Sequence, residues 1–155
     1  TPKAVVPISA RTGDGIEALL AETLSALPEG PPLFPEDEYT DRSERFLAAE
    51  LIREAIIHCC GQEVPYATAV QVRAWDDERA EGGKIRIAAD IMLEREGQKA
   101  IVIGRQGSML KTIGTQARES IEKLLGLPVF LELFVKVRKD WRQDERVLRE
   151  IIEDK

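Results

Sequence analysis

Apolar residues return at every second position over 66–75, 84–95 and 128–138, and at every third or fourth over 42–60 and 108–125. A period of two marks a strand with one buried face, and a period near 3.6 marks a helix with one buried stripe. The first strand run places Tyr66, Thr68, Val70, Val72 and Ala74 on one side, and the second places Ile85, Ile87, Ala89, Ile91 and Leu93 together. Val129, Leu131, Leu133, Val135 and Val137 share a side in the third. The helical stripes are Leu47, Leu51, Ile52, Ala55, Ile56 and Cys59, then Leu110, Ile113, Ala117, Ile121 and Leu124. Asp41 and Glu44 have the spacing of a near capping box for the first of these helices. Between the second strand and the second helix, Lys99-Ala100-Ile101-Val102-Ile103 is a short apolar piece, read as a short helix. The order helix, strand, strand, helix, helix, strand is therefore that of a small α+β domain. A terminal helix over 141–153 follows.

A different pattern stands upstream. Val5-Val6-Pro7-Ile8 reads as a short strand, and Ile16, Leu19, Leu20, Thr23, Leu24 and Leu27 form the stripe of a helix that ends at Pro28. Residues 28–39 are rich in Pro, Glu and Asp, which bury little and suit a linker. The expected division is a β-α piece over 1–28, a linker over 29–41 and a domain over 42–155. The chain opens Thr1-Pro2-Lys3 without Met, as a piece of a longer protein would. No apolar run reaches the ~18 residues of a membrane span, and a cytoplasmic location is expected. Cys59 and Cys60 are adjacent, so they make no disulfide framework and read as small core residues.

Net charge is −6, which alone would disfavour a nucleic-acid ligand, but the charge is unevenly placed. Residues 1–97 carry −9, residues 98–139 carry +5 and residues 140–155 carry −2. Local charge governs phosphate binding more than the total does. Inside the basic stretch stands Gly104-Arg105-Gln106-Gly107, followed at once by a helix from Ser108. Glycines let backbone amides approach an anion without a Cβ in the way, and the first amides of a helix have no partner inside it. Lys99, Arg105 and Lys111 lie close enough in sequence to add charge. With 11 glycines in 155 residues, chance gives roughly one Gly-x-x-Gly, so a corner that uses glycine only for its shape reads the same way.

The longer run Val102-Ile103-Gly104-Arg105-Gln106-Gly107-Ser108, continuing to Lys111-Thr112-Ile113-Gly114, resembles the RNA-binding loop of K-homology (KH) domains, and the element order matches the type II arrangement α-β-β-α-α-β. Several further stretches resemble the Era family of bacterial GTPases across nearly the whole chain. They are Tyr39-Thr40-Asp41-Arg42-Ser43 with Arg45-Phe46, Glu94 to Lys99, and Leu131 to Val137, with Trp141 and Asp144-Glu145-Arg146 beyond. The resemblance implies a type II KH domain preceded by the last strand and helix of a Ras-like α/β GTPase domain. It implies single-stranded RNA as ligand, specifically the 3′ end of small-subunit ribosomal RNA, in assembly of the 30S subunit. It implies RNA contacts at Ile103, Gly104, Arg105, Gln106, Gly107, Ser108 and Lys111. Lys84, Arg86 and Lys99 are additional candidates, and Ile85, Ile87, Ile103, Leu110 and Ile113 read either as lying near bases or, equally, as core. Ser9, Ala10 and Arg11 resemble a guanine-contact motif that would serve only the intact protein, with GTP and magnesium as its cofactors. Peripheral contact with the inner membrane also follows from the resemblance alone. A competing reading is a protein-interaction module that docks through the acidic stretches 36–54 and 76–81.

The chain has no Gly-x-x-x-x-Gly-Lys-Ser/Thr, no Asp-x-x-Gly and no Asn-Lys-x-Asp, so phosphate, magnesium and guanine each lack their usual ligands. This chain is accordingly expected to be no enzyme and to hold no cofactor. Calorimetric titration of the 155 residues with GTP and magnesium is expected to give no heat of binding; micromolar binding would overturn the expectation.

Overall fold

The computed structural model describes residues 2–31, 40–61, 64, 68–78, 83–145 and 149. The chain divides into two compact units, Thr1–Thr40 and Asp41–Lys155.

In the first unit an extended segment leads through a turn into helix α1, Ile16–Ala26. The turn closes on itself: the Ser9 amide donates to the Asp14 carbonyl at 2.9 Å, and the Gly13 amide donates to Ser9 O at 2.8 Å. Gly15 caps α1 at φ 74°, and a Cβ there would stand 2.2 Å from the Pro7 carbonyl oxygen, so only glycine fits. Residues 5–8 are not a strand as expected. They have no neighbouring strand to hydrogen-bond with among the described residues, and extended backbone without a ladder is not a sheet. α1 buries none of its residues, and Leu20, Leu24 and Leu27 are exposed.

The second unit is α2 (Glu44–Cys60), β1 (Ala69–Asp77), β2 (Ile85–Leu93), α3 (Glu96–Ile103), a 3-10 turn (Arg105–Gly107), α4 (Ser108–Leu125), β3 (Val129–Val137) and a final 3-10 turn (Trp141–Gln143). The fold class is α+β, in the expected α-β-β-α-α-β order. β2 is central, antiparallel to β1 and parallel to β3. A parallel pair needs a long crossover, and here α3 and α4 supply it. The helices lie on one face of the sheet. Ile52 and Ile56 of α2, and Ile113, Ala117 and Ile121 of α4, close over Ile85, Ile87, Ala89, Ile91 and Leu93 of β2. Seven isoleucines in this layer are fully buried, each contributing about 1.5–3 kcal/mol of hydrophobic stabilisation.

The structure corrects four local expectations. The cap of α2 is Ser43, whose hydroxyl accepts the Phe46 amide at 3.2 Å, rather than an Asp41–Glu44 box. Ala74 does not face the core. A bulge between Val72 and Ala74 shifts the register, so Trp75 turns inward and Ala74 outward. The first strand begins at Ala69; Thr68 precedes it, donating its hydroxyl to Val64 O at 2.8 Å, and Tyr66 lies outside the described residues. The terminal segment starts as a 3-10 turn at Trp141, and Arg146 with most of the expected helix 141–153 lies outside the described residues.

The outer sheet face has its own small cluster, Ala69, Met92 and Trp141. The turn carrying Trp141 is tied down by Arg142, which donates two hydrogen bonds to Glu94, both 2.7 Å. The Arg142 guanidinium holds the Glu94 carboxyl below its ordinary value. At the sheet centre Asp90, nearly buried, meets Arg73 Nε at 3.0 Å from β1 and Lys136 Nζ from β3. Both cations are about half exposed, so water recovers part of any loss. Asp90→Ala is expected to lower stability by about 1–2 kcal/mol, read as a lower urea midpoint at unchanged slope.

Candidate nucleic-acid interface

The geometry of the Gly-rich turn begins with the end of α3. The Gly104 amide closes that helix on Ala100 O at 2.9 Å, and Gly104 itself takes φ 70°, ψ 178°, a conformation open only to glycine. A Cβ at 104 would lie 2.6 Å from Met109 Cβ and 2.8 Å from the Met109 amide nitrogen. Gln106 stands at φ 53°, ψ 30°, and Gly107 at φ 78°, ψ 9°. The two glycines therefore differ in kind. Gly104 is bare because the first turn of α4 presses on it. A Cβ on Gly107 would meet nothing within 4 Å.

α4 starts at Ser108 without any side-chain cap. Ser108 donates its amide to Arg105 O within the 3-10 turn, and the first-turn amides that follow lie at the positive end of the helix dipole, worth about 0.3–1 kcal/mol to an anion. They open beside a groove of about 420 Å³ between α4 and the edge strand β3. Gly107, Leu110, Lys111, Gly114, Thr115 and Arg118 line it from the α4 side, and Leu131 and Leu133 from β3. Arg118 Nη1 donates to both carboxylate oxygens of Glu122 at 3.0 Å, and Glu122 in turn accepts the Val129 amide at 3.0 Å. Gly114 sits inside α4, where glycine costs about 1 kcal/mol relative to alanine.

The expected site residues separate into groups. Ile103, Gly104, Arg105, Gln106, Gly107 and Ser108 form the turn, and Lys111 joins it on the groove wall. Lys99 is on α3, half-buried, one turn before the loop. Lys84 and Arg86 are elsewhere: both lie over the Phe130 ring, at 5.5 and 5.8 Å, on the sheet face opposite the groove. Ile85, Ile87 and Ile113 are sealed in the core, at 0%, 1% and 0% exposure, and are not available to bases, whereas Leu110 lines the groove. Ser9, Ala10 and Arg11 belong to the turn of the first unit, where the Ser9 hydroxyl accepts the Thr12 amide at 3.3 Å. Gly114, Thr115, Arg118, Leu131 and Leu133 were missed. Lys111, Gly114 and Arg118 are spaced three and four apart on one helical face, and that spacing was the available signal.

Burial pushes both Cys59 and Cys60 above the ordinary thiol value, and Cys59 Sγ donates to Gln116 Oε1 at 3.2 Å. Among the described residues no three His, Cys, Asp or Glu side chains gather as a metal site.

Comparison with known proteins agrees with this geometry. A family model described as KH domain matches residues 63–142. GTPase Era of Geobacter metallireducens is 56% identical over 147 residues, covering 95% of this chain and 49% of the relative. GTPase Era of Syntrophus aciditrophicus is 55% identical over 146 residues, covering 94% and 47%. The chain thus spans about half the length of the curated relatives it matches. Two solved structures superpose at 42% identity over 96% of this chain and about half of theirs. One is Aquifex aeolicus Era bound to GDP·AlF4⁻, with a TM-score of 0.89. The other is Era in complex with MgGDPNP and nucleotides 1506–1542 of 16S ribosomal RNA, with a TM-score of 0.90.

The two glycines predict opposite responses. Gly107→Asp has room, and Asp tolerates positive φ, so the unfolding midpoint is expected to hold while affinity for a short single-stranded RNA falls about tenfold or more. Gly104→Ala collides with Met109 and is expected to cost about 1–3 kcal/mol of stability in the same urea titration.

Proposed function

Because the chain belongs to the KH-domain family, we propose that it binds unpaired RNA, about four nucleotides at a time, along the groove between α4 and β3. The observation that supports this best is the uncapped start of α4 beside the open side of Gly107. Backbone amides around Arg105 to Ser108 and into the first turn of α4 would take the phosphates where they do not already donate within the turn, as those of Gly107 and Ser108 do to the Gly104 and Arg105 carbonyls, with Arg105 and Lys111 adding charge and Ile103 and Lys99 supporting the turn from α3. Leu110, Leu131 and Leu133 would meet the bases. A base can enter this groove only when its face and edges are free, which duplex RNA does not allow.

The target in this proposal is the single-stranded 3′ end of small-subunit ribosomal RNA, and the role is assembly of the 30S subunit. The support is the likeness to Era, one solved example of which holds a 16S ribosomal RNA segment. The intact protein would be a GTPase, as the relatives' names state of them, with GTP and magnesium as its cofactors; one solved relative holds MgGDPNP. In this chain Ser9, Ala10 and Arg11 would touch only the edge of a guanine. No Gly-x-x-x-x-Gly-Lys-Ser/Thr loop accompanies them in these 155 residues. The proposal places the protein in the cytoplasm, with peripheral contact at the inner membrane as an extension drawn from the family. No helix among the described residues is long and apolar enough to cross a membrane.

Fluorescence anisotropy with a labelled oligonucleotide of the ribosomal 3′ tail tests this directly. Binding is expected for the single strand and not for the same sequence annealed to its complement. The log-log salt slope should be about −0.7 for each phosphate contacted. Equal affinity for both forms would refute base-dependent recognition and favour the docking-module reading.

A further inference from the structure

In a sheet with helices on one face, the other face is expected to carry polar side chains. β3 breaks that pattern. Its groove-side residues Leu131 and Leu133 alternate with outward ones, and two of the outward residues are Phe130 and Phe134, 42% and 43% exposed. Neither ring stands alone. Lys84 and Arg86 lie over Phe130, and Arg73 lies over Phe134 at 5.3 Å. Lys84 has no ion pair among the described residues, and Asp90 sets one carboxylate against two cations, Arg73 and Lys136. The ground between the rings is low: Glu132 is in register with Ala88, and Ala88 with Ala74. Four residues apart on one strand, the rings flank about 13 Å of shallow trough.

An exposed apolar patch ordinarily marks a protein interface, whose core excludes charge. Here cations flank each ring, and alanines and a carboxylate divide the two, so no continuous apolar patch forms. A ring with a cation beside it matches a nucleotide instead: bases stack on aromatic and guanidinium planes, and phosphates meet the charge. β3 is an edge strand among the described residues, so RNA lying in the groove has only that edge to pass before it reaches this face.

We propose that the outer face of β3 is a second RNA-contact surface, on which unpaired bases stack against Phe130 and Phe134 while Lys84, Arg86 and Arg73 meet the phosphates beside them. This inference rests on the RNA-binding reading for the strand itself, and it gives Lys84 and Arg86, which the groove leaves out, a place on that strand.

The test uses the full chain and two labelled oligonucleotides of the ribosomal 3′ tail. The short one has about six nucleotides, close to what the groove alone holds, and the long one adds about eight uridines at each end. The parent is expected to bind the long probe more tightly. Phe130→Leu combined with Phe134→Leu keeps apolar bulk without a flat ring. It is expected to lose about tenfold or more on the long probe, to bind the short one as the parent does, and to unfold at the parent's urea midpoint. Phe130→Trp combined with Phe134→Trp is expected to keep the long-probe affinity. Parent-like binding of the long probe by the leucine variant would overturn the proposal and mark the face as a surface for a protein partner. Equal losses on both probes, or equal affinity of the parent for both, would overturn it too. If the leucine variant unfolds early, Lys84→Ala combined with Arg86→Ala decides: a loss confined to the long probe is expected, and no loss would refute the surface. If the parent binds neither probe, the RNA reading falls with this one. If it binds only the long probe and the leucine variant abolishes that binding, the groove reading fails and this face stands.

Discussion

The site depends on the contact between Gly104 and Met109. α3 must end and α4 must begin with four residues between them, and the backbone can turn that tightly only where no Cβ intervenes. Because residue 104 is bare, the first turn of α4 presses directly on the end of α3 and points its own amides outward. A side chain at 104 would push the two helices apart. The uncapped amides would then no longer open on the groove beside β3.

That contact works because of the sheet behind it. β2 and β3 run parallel, so the chain must cross over between them, and the two short-linked helices make the crossing. α4 is anchored by Ile113, Ala117 and Ile121, all fully or almost fully buried against β2. Its remaining faces stay at the surface, one of them above β3. The groove is thus the seam where a firmly packed helix passes over an edge strand, and Leu131 and Leu133 floor it because β3 has no further strand beyond it among the described residues.

Periodicity carried most of this information and failed where its assumptions did. The run Ile85, Ile87, Ala89, Ile91, Leu93 alternates without interruption, and all five residues are buried. The same regularity misled the site reading: Ile85 and Ile87 looked available to bases only because a sequence does not say which sheet face the helices cover. In β1 the alternation holds through Val72 and then slips, because a bulge adds a residue that no pattern announces. Val5 to Ile8 has strand composition but no ladder, since a strand exists only with its neighbour. The Gly-rich turn was legible because it is contiguous. Leu131, Leu133 and Arg118 were not, because the groove joins residues far apart in sequence.

The basic stretch also takes on a different meaning in three dimensions. Of its cations, Lys136 faces Asp90, Arg138 faces Asp144 and Arg118 faces Glu122. Arg105 and Lys111 beside the loop carry no ion pair among the described residues, so a segment with net charge +5 presents little unspent charge at the groove. Affinity built on so few cations must come largely from oriented amides and from shape. Those terms are short-ranged and weakly screened compared with a field of lysines. An acidic chain of net charge −6 can then bind a polyanion without an extended positive surface, provided the strand is flexible enough to lay its backbone against one helix end. Under the proposed RNA binding, the same requirement would select unpaired RNA over duplex, because only a single strand can bring phosphate to the amides of α4 while leaving its bases free to turn toward the groove.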